Sequence, residues 1–180
     1  MPTVAFQGVR GAYSEEAIYQ FFGSDVETLP CQSFQGIFEA VESRESDYVM
    51  QPIENSTAGS INRAYDLLQS HDLRVWGEVI LRVRHALLAP EGMTLAEVER
   101  VRSQPEALAQ CKRYLHNHGW SSETTYDTAG GARDLAAEPE SGVAAIASRL
   151  AGQLYDLKEL DYGIEDSPNN YTRFFILSLD

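Results

Sequence analysis

The sequence predicts an α/β fold made of two lobes around a cleft. Short apolar runs typical of strands alternate with stretches of helical period along most of the 180 residues. One extended run, Leu73 to Leu88, is unusually long and is suited to crossing between lobes. A final strand at Arg173 to Leu179 could return the chain to the first lobe. The ligands of open α/β sheets bind at the carboxyl ends of strands, so the βα loops should face the cleft.

The predicted first lobe comprises residues 1–75 together with 168–180, and its first 70 residues contain three βα units. In the second helix, Phe34, Ile37, Phe38 and Val41 recur at helical spacing. The predicted strands are Thr3–Gln7, Val26–Cys31 and Asp47–Gln51, and the predicted helices are Ser14–Phe22, Ser33–Ser43 and Ser60–Ser70.

The predicted second lobe comprises residues 76–167. Beyond the extended run it contains a short helix behind the Thr94-x-x-Glu97 capping box. A polar segment, Glu165 to Asn170, is typical of a loop before the final strand. The predicted helices are Leu95–Val98, Gln104–His116 and Ala129–Ala137, and the predicted strands are Arg100–Arg102, Glu123–Tyr126 and Val143–Ala147.

The charge balance and the apolar runs exclude several classes of partner. The net charge is -13, with 27 acidic against 14 basic residues, which disfavours a nucleic acid or an anionic membrane as partner. No segment approaches the roughly 20 apolar residues of a membrane helix. The first residues do not resemble a signal peptide. We therefore expect a cytoplasmic protein with no nucleic-acid and no membrane partner.

The residues that usually hold metals or nucleotides are poorly placed for either task. Cys31 and Cys111 are isolated, and the four histidines lack metal-ligand spacing. The pair His116 and His118 does not share a helical face. The loop that joins the first strand to the first helix, "QGVRGAYS", is not a dinucleotide fingerprint. We expect no metal and no cofactor.

The segment "QPIENSTAGS", Gln51 to Ser60, is the richest candidate site. It places Glu54, Asn55, Ser56 and Thr57 between a buried strand and a helix, where an ordinary loop needs only one capping residue. The helix would add free N–H groups and a partial positive charge. This segment therefore predicts a ligand-binding loop, with helix capping as the alternative for Glu54.

Three other loops carry polar residues for which a helix cap is also a sufficient explanation. Ser14 stands at the start of the first helix, and Thr128 precedes "AGG" at another helix start. Ser103 and Glu106 form a capping-box pattern. Gln110 lies seven residues after Ser103, about two turns or ~10 Å along the same helical face, so both side chains could border a ligand.

The ordered motifs resemble the catalytic domain of the prephenate dehydratase family. They are "FQGVRGAYSEEA", "PIENSTAGSI", "HALL", "SQPEALAQC", "TAGGA", "AAIASRLAGQLYDL" and "NNYTRF". The resemblance implies two α/β lobes of the periplasmic-binding-protein type II architecture, with the active site in the cleft. It implies that Thr172 is catalytic, that Glu54 and Asn55 belong to the site, and that Ser103 and Gln110 contribute. Most family members continue into a regulatory ACT domain that binds phenylalanine, whereas this sequence ends six residues after Phe174.

The reaction implied by the resemblance removes a ring hydroxyl as water and a ring carboxylate as CO2. Such a site needs a donor at the departing hydroxyl, and we assign Thr172 to that position with Glu54 and Asn55. Whether Thr172 or Glu54 delivers the proton is open at this point. Helix N-termini near Asn55 to Ser60, Ser14 and Thr128 would hold the pyruvyl carboxylate.

Arg173 is a further candidate contact for the substrate. Strand alternation sends it to the face opposite Thr172, where it would pair with a carboxylate.

Two alternatives to prephenate dehydratase remain from the residues alone. Arogenate dehydratase differs in a substrate amino group, which no motif here excludes. A non-catalytic module that binds a small molecule between two lobes would have the same architecture. The resemblance also implies a homodimer or a homotetramer.

Overall fold

A computed structural model describes residues 1–179, which form a mixed α/β fold with two sheets and so confirm the predicted fold class. Two compact units are present. The first contains Met1–Val9, Tyr13–Val83 and the chain from Asn169 onward, and the second contains Arg10–Ala12 and Arg84–Pro168. Asp180, which the prediction placed in lobe one, lies outside the described residues.

The two sheets are built from eleven strands. They are β1 Thr3–Gln7, β2 Glu27–Cys31, β3 Tyr48–Asn55, β4 Gly59–Ser60, β5 Arg74–Arg82, β6 Ala86–Ala89, β7 Arg100–Ser103, β8 Ser121–Thr124, β9 Val143–Ala147, β10 Lys158–Tyr162 and β11 Tyr171–Ser178. The first sheet has the order β2-β1-β3-β11-β5, with β4 paired to β3, and the second has the order β10-β6-β9-β7-β8. The final strand runs antiparallel to both of its neighbours.

The helices follow the predicted positions closely, with three differences. The short helix predicted over Leu95–Val98 is a 3₁₀ helix, Leu95–Glu97, behind the predicted capping box. The single helix predicted over Gln104 to His116 is two helices, because the backbone leaves helical geometry at Cys111 (φ -111°, ψ 17°). Leu150 to Leu160, for which no element was predicted, contains most of a further helix and the start of β10. The helices are α1 Tyr13–Phe22, α2 Phe34–Glu42, α3 Asn62–Ser70, α4 Pro105–Gln110, α5 Lys112–His118, α6 Thr128–Ala137 and α7 Arg149–Leu154.

The boundary between the units lies at Val83/Arg84 instead of the predicted 75/76. The physical reason is strand pairing: Tyr171 to Ser178 pairs along β5, which keeps the whole of β5 in the first unit. The extended run Leu73 to Leu88 is therefore two strands, one in each sheet. The loop Arg10–Ala12 belongs to the second unit, where Ser148 Oγ donates to the Gly11 carbonyl at 2.5 Å.

A β-bulge in β3 sets the register of the chain end. Arg173 lies opposite Glu54, but Phe174 lies opposite Pro52, so Ile53 is the extra residue. Proline has no N–H to give to a ladder and is tolerated in sheets at such irregularities. Beyond the bulge, Asn55 faces Thr172.

Each unit has its own apolar core. In the first unit Phe38, Val49 and Leu177 belong to a buried cluster between the sheet and its helices. In the second unit Leu87, Val101 and Ile146 belong to another. All five residues of β9 are buried, as expected for a strand between two others. No helix within residues 1–179 is long and apolar enough to cross a membrane.

A pair of glycine substitutions tests the packing of the Arg10–Ala12 loop. Gly11 has φ +90°, and an added Cβ would lie 2.8 Å from Ala151 Cα, whereas Gly23 has φ +77° with nothing within 4 Å. Gly23→Ala adds backbone strain alone and should lower the free energy of unfolding by about 1 kcal/mol. Gly11→Ala adds a steric clash and should lower it by about 2 to 4 kcal/mol. Urea denaturation measures both, and equal losses would contradict the close packing against Ala151.

Candidate active site

The candidate site of the first unit centres on two side chains at the ends of neighbouring strands. Asn55 is the last residue of β3 and Thr172 the second of β11, and the two are directly opposed in the antiparallel pair. Opposed residues present their side chains on the same face of a sheet. Asn55 Nδ2 donates to Thr172 Oγ1 at 2.9 Å, so the contact joins residues 117 apart in the chain.

The surrounding donors show which side of the Asn55 amide carries the oxygen. Its Oδ1 accepts from the backbone N–H groups of Thr57 (2.9 Å) and Ala58 (3.0 Å) and from the Thr57 hydroxyl (2.7 Å). A backbone N–H cannot donate to an amide nitrogen, so oxygen must stand on that side. The NH₂ group therefore faces Asn170 and Thr172.

The Thr172 hydroxyl consequently has a defined polarity. Its oxygen accepts from Asn55, which leaves its own hydrogen to be donated elsewhere. Within residues 1–179 that hydrogen has no acceptor. The half-buried hydroxyl is thus a prepared hydrogen-bond donor.

Ser56 ties the segment after β3 to the segment before β11. Its Oγ donates to the Asn169 carbonyl at 2.7 Å and accepts from the Tyr171 N–H at 2.9 Å. Its own N–H donates to the Tyr171 carbonyl at 2.8 Å. The Ser56 and Thr57 hydroxyls therefore hold the site together.

Glu54 lies on the opposite face of the sheet from Asn55, since consecutive strand residues alternate. It faces Arg173, whose guanidinium contacts Glu54 Oε1 at 3.4 Å and Glu78 Oε2 at 2.5 Å. The structure thus separates Glu54 and Arg173 from Thr172. The alternative that Glu54 caps a helix is wrong, because α3 begins after Ile61 with no side-chain cap.

Ser103 and Gln110 lie in the second unit. The prediction that Ser103 caps α4 is wrong, since Gln104 occupies that position and the buried Ser103 hydroxyl donates to the Ile146 carbonyl at 2.7 Å. Gln110 Oε1 lies 2.6 Å from Nε2 of His85, a buried residue just before β6. Burial lowers the pKa of His85, which favours the neutral ring.

The two remaining candidates lie inside helices instead of capping them. Asp127 caps α6 by accepting from the Gly130 N–H at 2.7 Å, so Thr128 is the first residue of that helix. Ser14 is the second residue of α1, in the first unit. Both predicted caps are therefore wrong. Thr128 follows Asp127, which is the cap of α6, and Ser14 lies inside α1, which begins at Tyr13.

Sequence reasoning missed Asn170 and His85 as members of these polar groups. Both stand in quoted motifs, "NNYTRF" and "HALL". A signal for Asn170 was present, since residues 170 and 172 share one face of an extended chain. Within the described chain no group of His, Cys, Asp and Glu residues could hold a metal ion.

The sequence is similar to known proteins over almost its whole length. The family model "Prephenate dehydratase" matches residues 4–180. The chain belongs to the prephenate dehydratase family. It is 46% identical over 175 residues to arogenate dehydratase/prephenate dehydratase 2, chloroplastic, of Arabidopsis thaliana, a match that covers 97% of this chain and 46% of the relative. The chain thus spans less than half the length of that relative.

Solved structures agree with the family and the fold. The prephenate dehydratase from Arthrobacter aurescens in complex with L-Phe is 29% identical (TM-score 0.89; 98% of this chain, 60% of that one). GqqA, described as a novel type of quorum quenching acylase, is 36% identical (TM-score 0.92; 99% and 64%). A periplasmic substrate-binding protein from Coxiella burnetii has a TM-score of 0.51 at 12% identity (99% and 84%), which shows a shared fold alone and agrees with the predicted architecture.

Proposed function

We propose that this chain catalyses the decarboxylating dehydration of prephenate to phenylpyruvate, a carbon–oxygen lyase reaction of phenylalanine biosynthesis. The observation that carries the proposal is the Thr172 hydroxyl, whose oxygen is held by Asn55 and whose hydrogen has no acceptor within residues 1–179. Family membership supplies the reaction class.

In this proposal Thr172 donates to the departing ring hydroxyl. The C–O bond breaks as that oxygen takes up one proton and leaves as water, the ring carboxylate leaves as CO2, and the electron pair of the broken C–C bond completes the aromatic ring. Hydrogen-bond or proton donation of this kind accounts for about 10²- to 10⁴-fold in rate. The Asn55 contact supplies orientation, which lowers the entropic cost of reaching the reactive geometry.

The placement of Arg173 supports the same chemistry. A cation against the departing carboxylate would stabilise a charge that must be lost in the transition state. Glu54 and Glu78 hold the Arg173 guanidinium on the sheet face opposite Thr172. The Thr172 face thus presents a neutral hydroxyl and a neutral amide, and Glu54 is a poor candidate for the proton donor.

The remaining predicted contacts divide into two roles. Ser56 and Thr57 position the site, and the hydroxyl of Ser103 is occupied by a backbone carbonyl. Gln110, Thr128 and Ser14 stay proposed substrate contacts.

Arogenate is the alternative substrate, because the Arabidopsis relative carries both activities in its name. Acyl transfer, suggested by the GqqA likeness, is less well supported. A nucleophilic threonine needs a neighbouring base that accepts its proton, whereas the Asn55 amide donates to Thr172. The predicted cytoplasmic location and the predicted homodimer or homotetramer stay predictions, and that relative is named chloroplastic.

Incubation with prephenate, and separately with arogenate, tests the proposed function. We expect phenylpyruvate from prephenate at neutral pH, with kcat/KM deciding between the two substrates. Binding of prephenate without turnover would instead support a non-catalytic binding module.

Thr172→Val tests the proposed donor, since valine keeps the branched shape and removes the hydroxyl. We expect kcat to fall by about 10²- to 10⁴-fold, with a melting temperature lower by about a few degrees because Asn55 loses one acceptor. Thr172→Ser, which keeps the hydroxyl, should retain most of the activity. Near-normal turnover by Thr172→Val would remove Thr172 from the catalytic role.

Glu54→Gln tests whether Glu54 delivers the proton. The ion pair with Arg173 is exposed to solvent and Glu78 still holds the guanidinium, so the loss in stability should be small. We expect kcat and its pH profile to change little. A loss comparable with that of Thr172→Val would show that Glu54 is the acid after all.

A further inference from the structure

We infer that Asn170 is a positioning residue for Thr172 and acts through Asn55. The inference rests on the proposed function, since it assigns a role within the same site. Asn170 lies just before β11 and is 1% exposed. Its Oδ1 accepts from Asn55 Nδ2 at 2.9 Å.

The geometry of a primary amide makes this contact a constraint on Thr172. The NH₂ group of Asn55 has two hydrogens in the plane of the amide, and they point in different directions. One is directed to Asn170 and the other to Thr172, each at 2.9 Å. A partner for the first hydrogen therefore fixes the plane in which the second meets the Thr172 oxygen.

The backbone around Asn170 is itself tied down on both sides. The Asn170 carbonyl accepts from the Val83 N–H at 2.8 Å. On the preceding residue, the Asn169 carbonyl accepts from Ser56 Oγ. The Asn170 side chain thus extends from a held backbone and can act as a fixed acceptor.

Loss of that acceptor would leave one Asn55 N–H without its partner in a half-buried site. The amide could then tilt to find another acceptor, and the Thr172 hydroxyl would lose its orientation. Misplacement of a reacting group by about 1 Å can cost on the order of 10²-fold in rate. The two Oδ1 atoms therefore have different roles. Asn170 Oδ1 accepts one hydrogen of the Asn55 NH₂ group and so sets the plane of that amide, whereas Asn55 Oδ1 holds the amide to the turn at Thr57.

The test compares Asn170→Ala with Asn170→Asp. Alanine removes the acceptor, so we expect kcat to fall by about 10- to 100-fold with KM changed less than about threefold. Aspartic acid keeps an oxygen toward Asn55 in either protonation state, so its kcat should stay at least about threefold above that of Asn170→Ala, although its added charge costs some activity. Equal losses in both variants, or full kcat in Asn170→Ala, would overturn the inference.

A matched control separates positioning from general loss of stability. Thr28→Val removes a half-buried hydroxyl of β2 in the same unit, which donates to Glu15 Oε1 at 2.7 Å and not to the Asn55 network. We expect its kcat to be unchanged, whatever its melting temperature. A kcat loss in Thr28→Val equal to that in Asn170→Ala would mean that stability, not position, sets the rate.

A readout without substrate keeps this inference distinct from the proposed function. In wild type both Asn55 side-chain N–H hydrogens should exchange slowly with solvent by NMR, and Asn170→Ala should accelerate the exchange of one. Unchanged exchange would overturn the positioning role. An inactive wild-type protein with the expected exchange would instead overturn the proposed function alone.

Discussion

The hydrogen bond from Asn55 Nδ2 to Thr172 Oγ1 is the interaction on which the rest of the site depends. It joins the last residue of β3 to the second residue of β11, and these residues are 117 apart in the chain. Its formation requires β11 to return between β3 and β5, and it requires the bulge at Ile53 to set the register beside Pro52. The fold of the first unit therefore orients the Thr172 hydroxyl so that its oxygen accepts from Asn55 and its hydrogen is left to be donated.

A neutral site suits the proposed chemistry better than a charged one. The protein carries a net charge of -13 and the proposed substrate, prephenate, is a dianion, so the net charge does not attract this substrate over long range. Local amide and hydroxyl groups can hold it without stabilising the departing carboxylate. The arginine of the same strand is kept on the other face by two glutamates. Neighbours in the sequence thus have separate electrostatic roles.

The elements of regular period were predictable, and the side-chain networks were not. Hydrophobic spacing located α2 and the buried β9 closely, because burial enforces the pattern. Strand alternation correctly separated Thr172 from Arg173. The helix caps lie one residue away from the predicted Ser103 and Thr128, because Gln104 is the N-cap residue of α4 and Asp127 is that of α6. The Asn170–Asn55 contact depends on a pairing across 115 residues, which no local pattern contains.

Measurement of kcat for Asn55→Asp, at saturating prephenate, tests the central claim most directly. One carboxylate oxygen can still accept from Thr57 and Ala58, so the turn after β3 should be retained. The other oxygen cannot donate, and the Thr172 hydroxyl must turn its hydrogen toward it. If catalysis requires Asn55 to donate to Thr172 so that the Thr172 hydrogen can be donated to the substrate, kcat falls by about 10²-fold or more. Turnover within a few-fold of wild type would contradict that account.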